Sequence, residues 1–144
     1  MQAGIDYTGV TVAFFCHDEQ GLYLMQKRSQ HCRDERGRWE FGGGRLEFGE
    51  SLEEGLHREL GEEYGCTGTI EQQLPAISHM RSDTDVTTHW ITIPYIVRIK
   101  HAEAFINEPK SIDEIGWFAI NKLPTPLHTA CKCELEEFGE YFGL

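Results

Sequence analysis

The feature that most constrains this 144-residue chain is a helix with both of its ends specified. Ser51 stands three residues before Glu54, the capping-box spacing in which a hydroxyl accepts from the third amide of the helix. Gly65 occupies the place where a glycine at positive φ closes a helix. Leu52 to Tyr64 is therefore predicted as helix, and Leu52, Leu56 and Leu60 cover an arc of about 80° at roughly 100° per residue. A stripe that wide needs an apolar partner surface, which the rest of the chain must supply.

Val10 to Phe15 and Leu22 to Gln26 are short apolar runs separated by His17-Asp18-Glu19-Gln20-Gly21, so they read as a hairpin. Lys27 to Arg38 carries Lys27, Arg28, Arg33, Arg36 and Arg38 and reads as an exposed basic loop. Trp39-Glu40-Phe41 is a brief strand-like element leading into Gly42-Gly43-Gly44, where the backbone can take positive φ or come close to a ligand. Ile70 to His79 is mixed, whereas Thr88 to Lys100 is rich in β-branched and aromatic residues and reads as a long strand. Its Pro94 argues against a central position, because proline cannot donate to the ladder. Ile115 to Ile120 is a further strand. Cys131, Leu135, Phe138 and Phe142 at helical spacing make Thr129 to Phe142 an amphipathic helix covering the sheet. Strands dispersed among two helices predict a mixed α/β (α+β) fold, read as a single domain over residues 1–144.

Composition narrows the function. With 40% apolar and 26% charged residues the chain is of globular type. It has no run near the roughly 18 apolar residues that span a bilayer, and Met1 to Val10 lacks the basic-then-apolar pattern of a secretory signal. A soluble, cytoplasmic protein is the expectation. Thirteen Lys plus Arg against 24 Asp plus Glu give a net charge of −11, which repels polyanions and argues against long nucleic acids as partners. The five cysteines are odd in number and irregular in spacing, so they do not read as a disulfide framework. His128-x2-Cys131-x-Cys133 is not a standard zinc spacing, and its cysteines fall on the core stripe of the last helix.

Glu59, Glu62 and Glu63, at i, i+3 and i+4, converge on one face of the first helix. A merely solvated acidic face would lie opposite the leucines, but these three fall at the rim of the buried stripe. Mutual repulsion there raises their energy unless a counter-ion is present. Oxygen-only ligands suit Mg²⁺, with Mn²⁺ as a substitute. The glycine triplet lies just upstream and could add carbonyls or present N–H groups to phosphate. Glu50 and Arg58 are placed to form an ion pair bracing the intervening loop. Metal, loop and basic segment together point to phosphate chemistry.

The stretch Gly44-x5-Glu50-x7-Arg58-Glu59-Leu60-x-Glu62-Glu63-x-Gly65-Cys66 resembles the signature of the Nudix hydrolases, which cleave a nucleoside diphosphate linked to another moiety. The likeness extends more weakly, toward the MutT-like branch, into Leu24 to Arg28, Trp39 to Phe41 and Trp117 to Pro124. Cys66 stands where an aliphatic residue is usual and Gly42 where many members carry proline. The resemblance implies an α/β/α sandwich with a mixed sheet between helices. It further implies Mg²⁺ held by Glu59, Glu62 and Glu63 with the Gly43 carbonyl, Arg58 orienting the cluster through Glu50, and Gly44 and Gly65 as structural glycines. Glu108 is the candidate downstream ligand or base, with Asp113 and Glu114 behind it. Arg28, Gly44 and Asn121 are the candidate substrate contacts, on phosphate, loop and base edge respectively.

The implied reaction is attack of a metal-activated water on a small nucleotide, a nucleoside triphosphate giving monophosphate and pyrophosphate, by an enzyme expected to form a homodimer. Nucleotide sugars and ADP-ribose are the nearest alternatives. The proline of ADP-ribose hydrolases and the tyrosine of diadenosine polyphosphate hydrolases are both missing around Arg81 to Thr84. A non-catalytic nucleotide sensor on the same scaffold would lose carboxylates that this chain retains. An isoprenoid diphosphate isomerase would need Cys16 or Cys32 in the pocket.

Overall fold

Val12 to Cys16 are buried without interruption because the first strand, β1 (Gly9–His17), is covered on both faces. Alternation sends Val12, Phe14 and Cys16 into one core and Ala13 and Phe15 into the other. The computed structural model describes residues 1–82 and 85–143, so the Arg81 to Thr84 stretch lies partly outside the described residues. The first core is closed by Leu56, Leu60 and Tyr64 of α1 (Leu52–Tyr64), the second by Cys131 and Phe138 of α2 (Thr129–Phe138) together with Phe142. A sheet between two helices is the expected architecture.

The sheet has eight strands. β7 (Thr88–Arg98) runs parallel to β1 over its whole length, from Gly9 opposite Trp90 to His17 opposite Arg98. The other edge of β1 is shared. β2 (Leu22–Arg28) meets it at His17, and β4 (Gly42–Arg45) pairs with Thr11 to Phe14. β2 also pairs with β3 (Trp39–Glu40) and with β8 (Ile112–Ala119). The chain therefore crosses from the β2 edge to the β1 edge at Phe41, and the sheet opens between them. β5 (Thr69–Gln73) and β6 (Ile77–Arg81) share the far edge of β7.

Several expectations are corrected. Pro94 lies in an interior strand, opposite Ala13. The Leu74 N–H donates to the Pro94 carbonyl at 2.8 Å, so the proline's nitrogen faces the break between β5 and β6, where no ladder bond is lost. Ile70 to His79 resolves into those two strands. The basic segment is not wholly an exposed loop, since β2 runs to Arg28, whose guanidinium bonds Asp34 and Glu40. The tail is helical only to Phe138, and a 3₁₀ turn over Gly139–Phe142 places Phe142 in the core. His128 caps α2, accepting from the Ala130 N–H at 2.9 Å. No helix among the described residues is long and apolar enough to cross a membrane.

Candidate functional site

The site is built on α1. Ser51 Oγ accepts from the Glu54 N–H at 3.1 Å, and Gly65, at φ 63°, returns its own N–H to the Gly61 carbonyl. With the ends fixed, the glutamates fall at graded depths. Glu63 is 6% exposed, the Glu59 side chain 13% and the Glu62 side chain 48%. The glycine triplet is extended strand, and none of the three has positive φ. Its value is close approach, since a Cβ on Gly44 would overlap the Glu59 carboxyl.

Arg58 is the hub. Its Nε and Nη2 donate to the two oxygens of Glu50 at 2.6 and 2.9 Å, and Nη2 also reaches the Arg45 carbonyl at 3.0 Å. The bracing pair between loop and helix is therefore present. Nη1 donates to Glu59 at 2.8 Å and to Glu62 at 3.2 Å, so these two carboxylates have a cation beside them. The expectation of three uncompensated charges is corrected to one. Glu50 is held down at about 2, by the Arg58 hydrogen bonds first and then by the Glu47 N–H.

Glu63 is the uncompensated group. Among the described residues its carboxylate has no cationic partner and accepts only from the Gly43 N–H, at 3.4 Å. Burial, then Glu40, Glu59 and Glu108, raise its pKa well above the ordinary carboxylate range. Glu59 is also raised, by burial first, with Glu62 and Glu108 adding to the rise and Arg58 opposing it.

Glu108 reaches this cluster because its loop docks on the C-terminal end of α1. The Phe105 and Asn107 N–H groups donate to the Tyr64 and Glu63 carbonyls at 3.1 and 2.9 Å, and Asn107 Nδ2 donates to the Gly61 carbonyl at 3.0 Å. The Glu63 and Tyr64 carbonyls, which the helix end leaves free, are satisfied in this way, and the Gly61 carbonyl gains a second donor beside the Gly65 N–H. Glu59, Glu63, Glu108, Gly43 and Gly44 then line a recess of about 430 Å³.

No group of three acidic, histidine or cysteine side chains among the described residues is closed into a ready-made metal site. Arg58 holds Glu59 and Glu62, while Glu63 lies outside its reach. The donor set nevertheless fits a hard cation. A buried carboxylate without a counter-charge stands beside two others. The Gly43 N–H faces Glu63 rather than β1, and in a strand the carbonyl of the same residue points the same way.

The other predicted residues are placed unevenly. Arg28 lies between this recess and a second one of about 220 Å³, already bonded to Asp34 and Glu40. Asn121, expected at a base edge, is exposed in the turn after β8 and lines neither recess. Asp113 and Glu114 are exposed on β8, outside both. Three residues were not foreseen individually. Arg33 and Arg45 line the glutamate recess and have no ion-pair partner among the described residues. Arg33 belonged to the flagged basic segment, and Arg45 directly follows the glycines. Glu134, in the second recess, occupies a core-facing position of α2 between Cys131 and Phe138, and an acid within an apolar stripe was its signal.

Comparison with known proteins covers most of the chain. The family model described as NUDIX domain matches residues 7–135. The 8-oxo-dGDP phosphatase NUDT18 of Mus musculus is 27% identical over 137 residues, covering 92% of this chain and 39% of that protein. The chain thus spans about two-fifths of that relative's length. The RNA pyrophosphohydrolase of Acinetobacter baylyi is 26% identical over 122 residues, covering 74% of this chain and 70% of that one. Among solved structures, the MutT NUDIX hydrolase from Burkholderia pseudomallei superposes with a TM-score of 0.78 at 28% identity, over 89% of this chain and 95% of that one.

Proposed function

The chain belongs to the NUDIX family, and on that premise we propose that it is a divalent-metal-dependent pyrophosphohydrolase acting on a nucleoside diphosphate linked to a further group. Within that class we take the substrate to be a nucleoside triphosphate, released as monophosphate and pyrophosphate. The observation that carries the reading is Glu63, a buried carboxylate with no cationic partner among the described residues, set against the glycine strand beside Glu59 and Glu108. Burial of an unpaired charge is costly and is relieved when a cation arrives.

Glu59 and Glu63 would hold Mg²⁺ or Mn²⁺ with the Gly43 carbonyl, and Glu62 and Glu108 stand as outer members of the set. When bound, the metal polarises phosphoryl oxygens and makes a coordinated water a stronger nucleophile. The chain's own residues do the rest. Arg58 fixes Glu59 from one side while Glu50 fixes Arg58, so the cluster is oriented from outside the recess. Arg33 and Arg45 supply positive charge to phosphate oxygens in a chain that is otherwise strongly acidic. Glu59 or Glu108 accepts the proton of the attacking water at a carboxylate oxygen, and both lie in the recess with Glu63. Gly44 keeps the strand close enough for the glutamates and a phosphate to share that space. Localisation in the cytoplasm and assembly as a homodimer belong to the same reading.

The test is release of phosphate and pyrophosphate from nucleoside triphosphates, nucleoside diphosphates, nucleotide sugars and ADP-ribose, each with Mg²⁺, Mn²⁺ or EDTA. Diphosphates are included because the mouse relative is described as an 8-oxo-dGDP phosphatase. Metal-dependent pyrophosphate release from triphosphates supports the reading. Metal-dependent cleavage of another class moves the substrate but keeps the reaction, and metal binding without turnover overturns it in favour of a sensor.

A further inference from the structure

The second recess, of about 220 Å³, opens from the gap where the chain crosses between sheet edges and shares Arg28, Glu40, Gly43 and Gly44 with the glutamate recess. It lies below the roughly 300–1,000 Å³ of sites for drug-sized ligands, so it suits one planar ring rather than a whole nucleotide. A phosphate chain in the larger recess would lead directly into it. The Thr11 and Thr92 hydroxyls on its wall satisfy each other at 2.8 Å. Arg28 and Glu40 are held by each other and by Asp34 and Gln26.

Glu134 is different. It is 8% exposed and lines this recess, yet among the described residues its carboxyl makes no hydrogen bond or ion pair. The charged and titratable groups around it are Glu40 from β3, Arg28 from β2, His79 from β6 and Cys131 one turn before it on α2. The only cation among them is already engaged by two carboxylates. We propose that Glu134 selects the substrate's heterocycle, its carboxyl offering one O–H donor and one C=O acceptor to a ring edge that presents the complementary pair. An edge of two acceptors or two donors would leave one member unpaired in a buried place, and that is where selectivity arises. Burial first, and then Glu40, push the group up to about 8, which keeps the acid neutral at pH 7. The inference rests on the recesses being those of a nucleotide hydrolase.

The experiment is binding of non-hydrolysable imido-nucleoside triphosphates with different bases, by calorimetry with Mg²⁺, to the wild type, Glu134→Gln and Glu134→Leu. Turnover of the ordinary triphosphates and of base-free ribose 5-triphosphate is measured alongside. Glutamine keeps one donor and one acceptor, so it should hold affinity for the preferred base within about threefold, whereas leucine should lose at least about tenfold and flatten the preference among bases. Neither change should alter turnover of the base-free probe. Unchanged preference in Glu134→Leu, equal losses in Glu134→Gln and Glu134→Leu, or no binding of any base by the wild type would overturn the assignment. Base-dependent binding that tracks Glu134 without any turnover would keep this inference and sink the hydrolase reading.

Discussion

At the scale of single residues, Glu63 and Glu134 are both buried glutamates, and their surroundings differ. Among the described residues Glu63 has neighbouring carboxylates and no cationic partner, so its ionisation is disfavoured and Glu63→Gln removes a group that the fold holds at a cost. In EDTA near pH 8 the variant should melt at or above the wild-type temperature, while its metal-supported turnover falls about 100-fold or more. A variant that keeps its activity would remove Glu63 from the reaction. Glu134 has a folded pKa of about 8 against an ordinary 4.5. The folded state keeps the proton that the unfolded chain releases, so stability falls as pH rises between those values and levels off above about 8. The span is up to roughly 5 kcal/mol. Melting temperatures from pH 5 to 9 should show the slope in the wild type and a shallower one in Glu134→Gln, with the variant more stable above pH 8. Identical slopes would mean that Glu134 is ionised throughout.

At the scale of elements, α1 carries the site because its caps, leucine stripe and glutamates are set by one register. Arg58 joins that helix to the preceding loop through paired bonds to Glu50, a geometry that a fork-shaped guanidinium makes and an ammonium does not. Arg58→Lys should therefore lose activity nearly as far as Arg58→Ala. Full rescue by lysine in steady-state assays would reduce Arg58 to a point charge. The helix and its ion pair were legible in the sequence because they depend on local spacing. The fate of Pro94 was not, since it depends on where β5 stops and β6 starts across the strand. The glycines were half legible, because their composition indicates close approach but not that the approaching groups are Glu59 and Glu63. Arg58's hold on Glu59 and Glu62 was equally hidden, for sequence spacing places side chains on a face without saying which way a long one reaches. Glu134 shows the remaining kind of miss, a polar residue at a core position whose meaning depends on the recess around it.

At the scale of the whole molecule, a net charge of −11 and a recess that sets Glu40, Glu59, Glu63 and Glu108 against Arg28, Arg33 and Arg45 mean that, on the proposed function, a bound cation favours an anionic nucleotide. Metal and substrate should therefore bind with positive coupling, and saturating Mg²⁺ should raise the melting temperature. At about 100 times the dissociation constant the gain is roughly 2.7 kcal/mol. For a chain of this size that is a shift of several degrees. The most direct test of the central claim is Mn²⁺ binding followed by electron paramagnetic resonance, with wild type and Glu63→Gln titrated under the same conditions. The predicted result is a saturable Mn²⁺ site in the wild type that is weakened at least about tenfold in the folded variant. Equal affinity in the two proteins would contradict the assignment of the buried carboxylate as the metal's principal anchor.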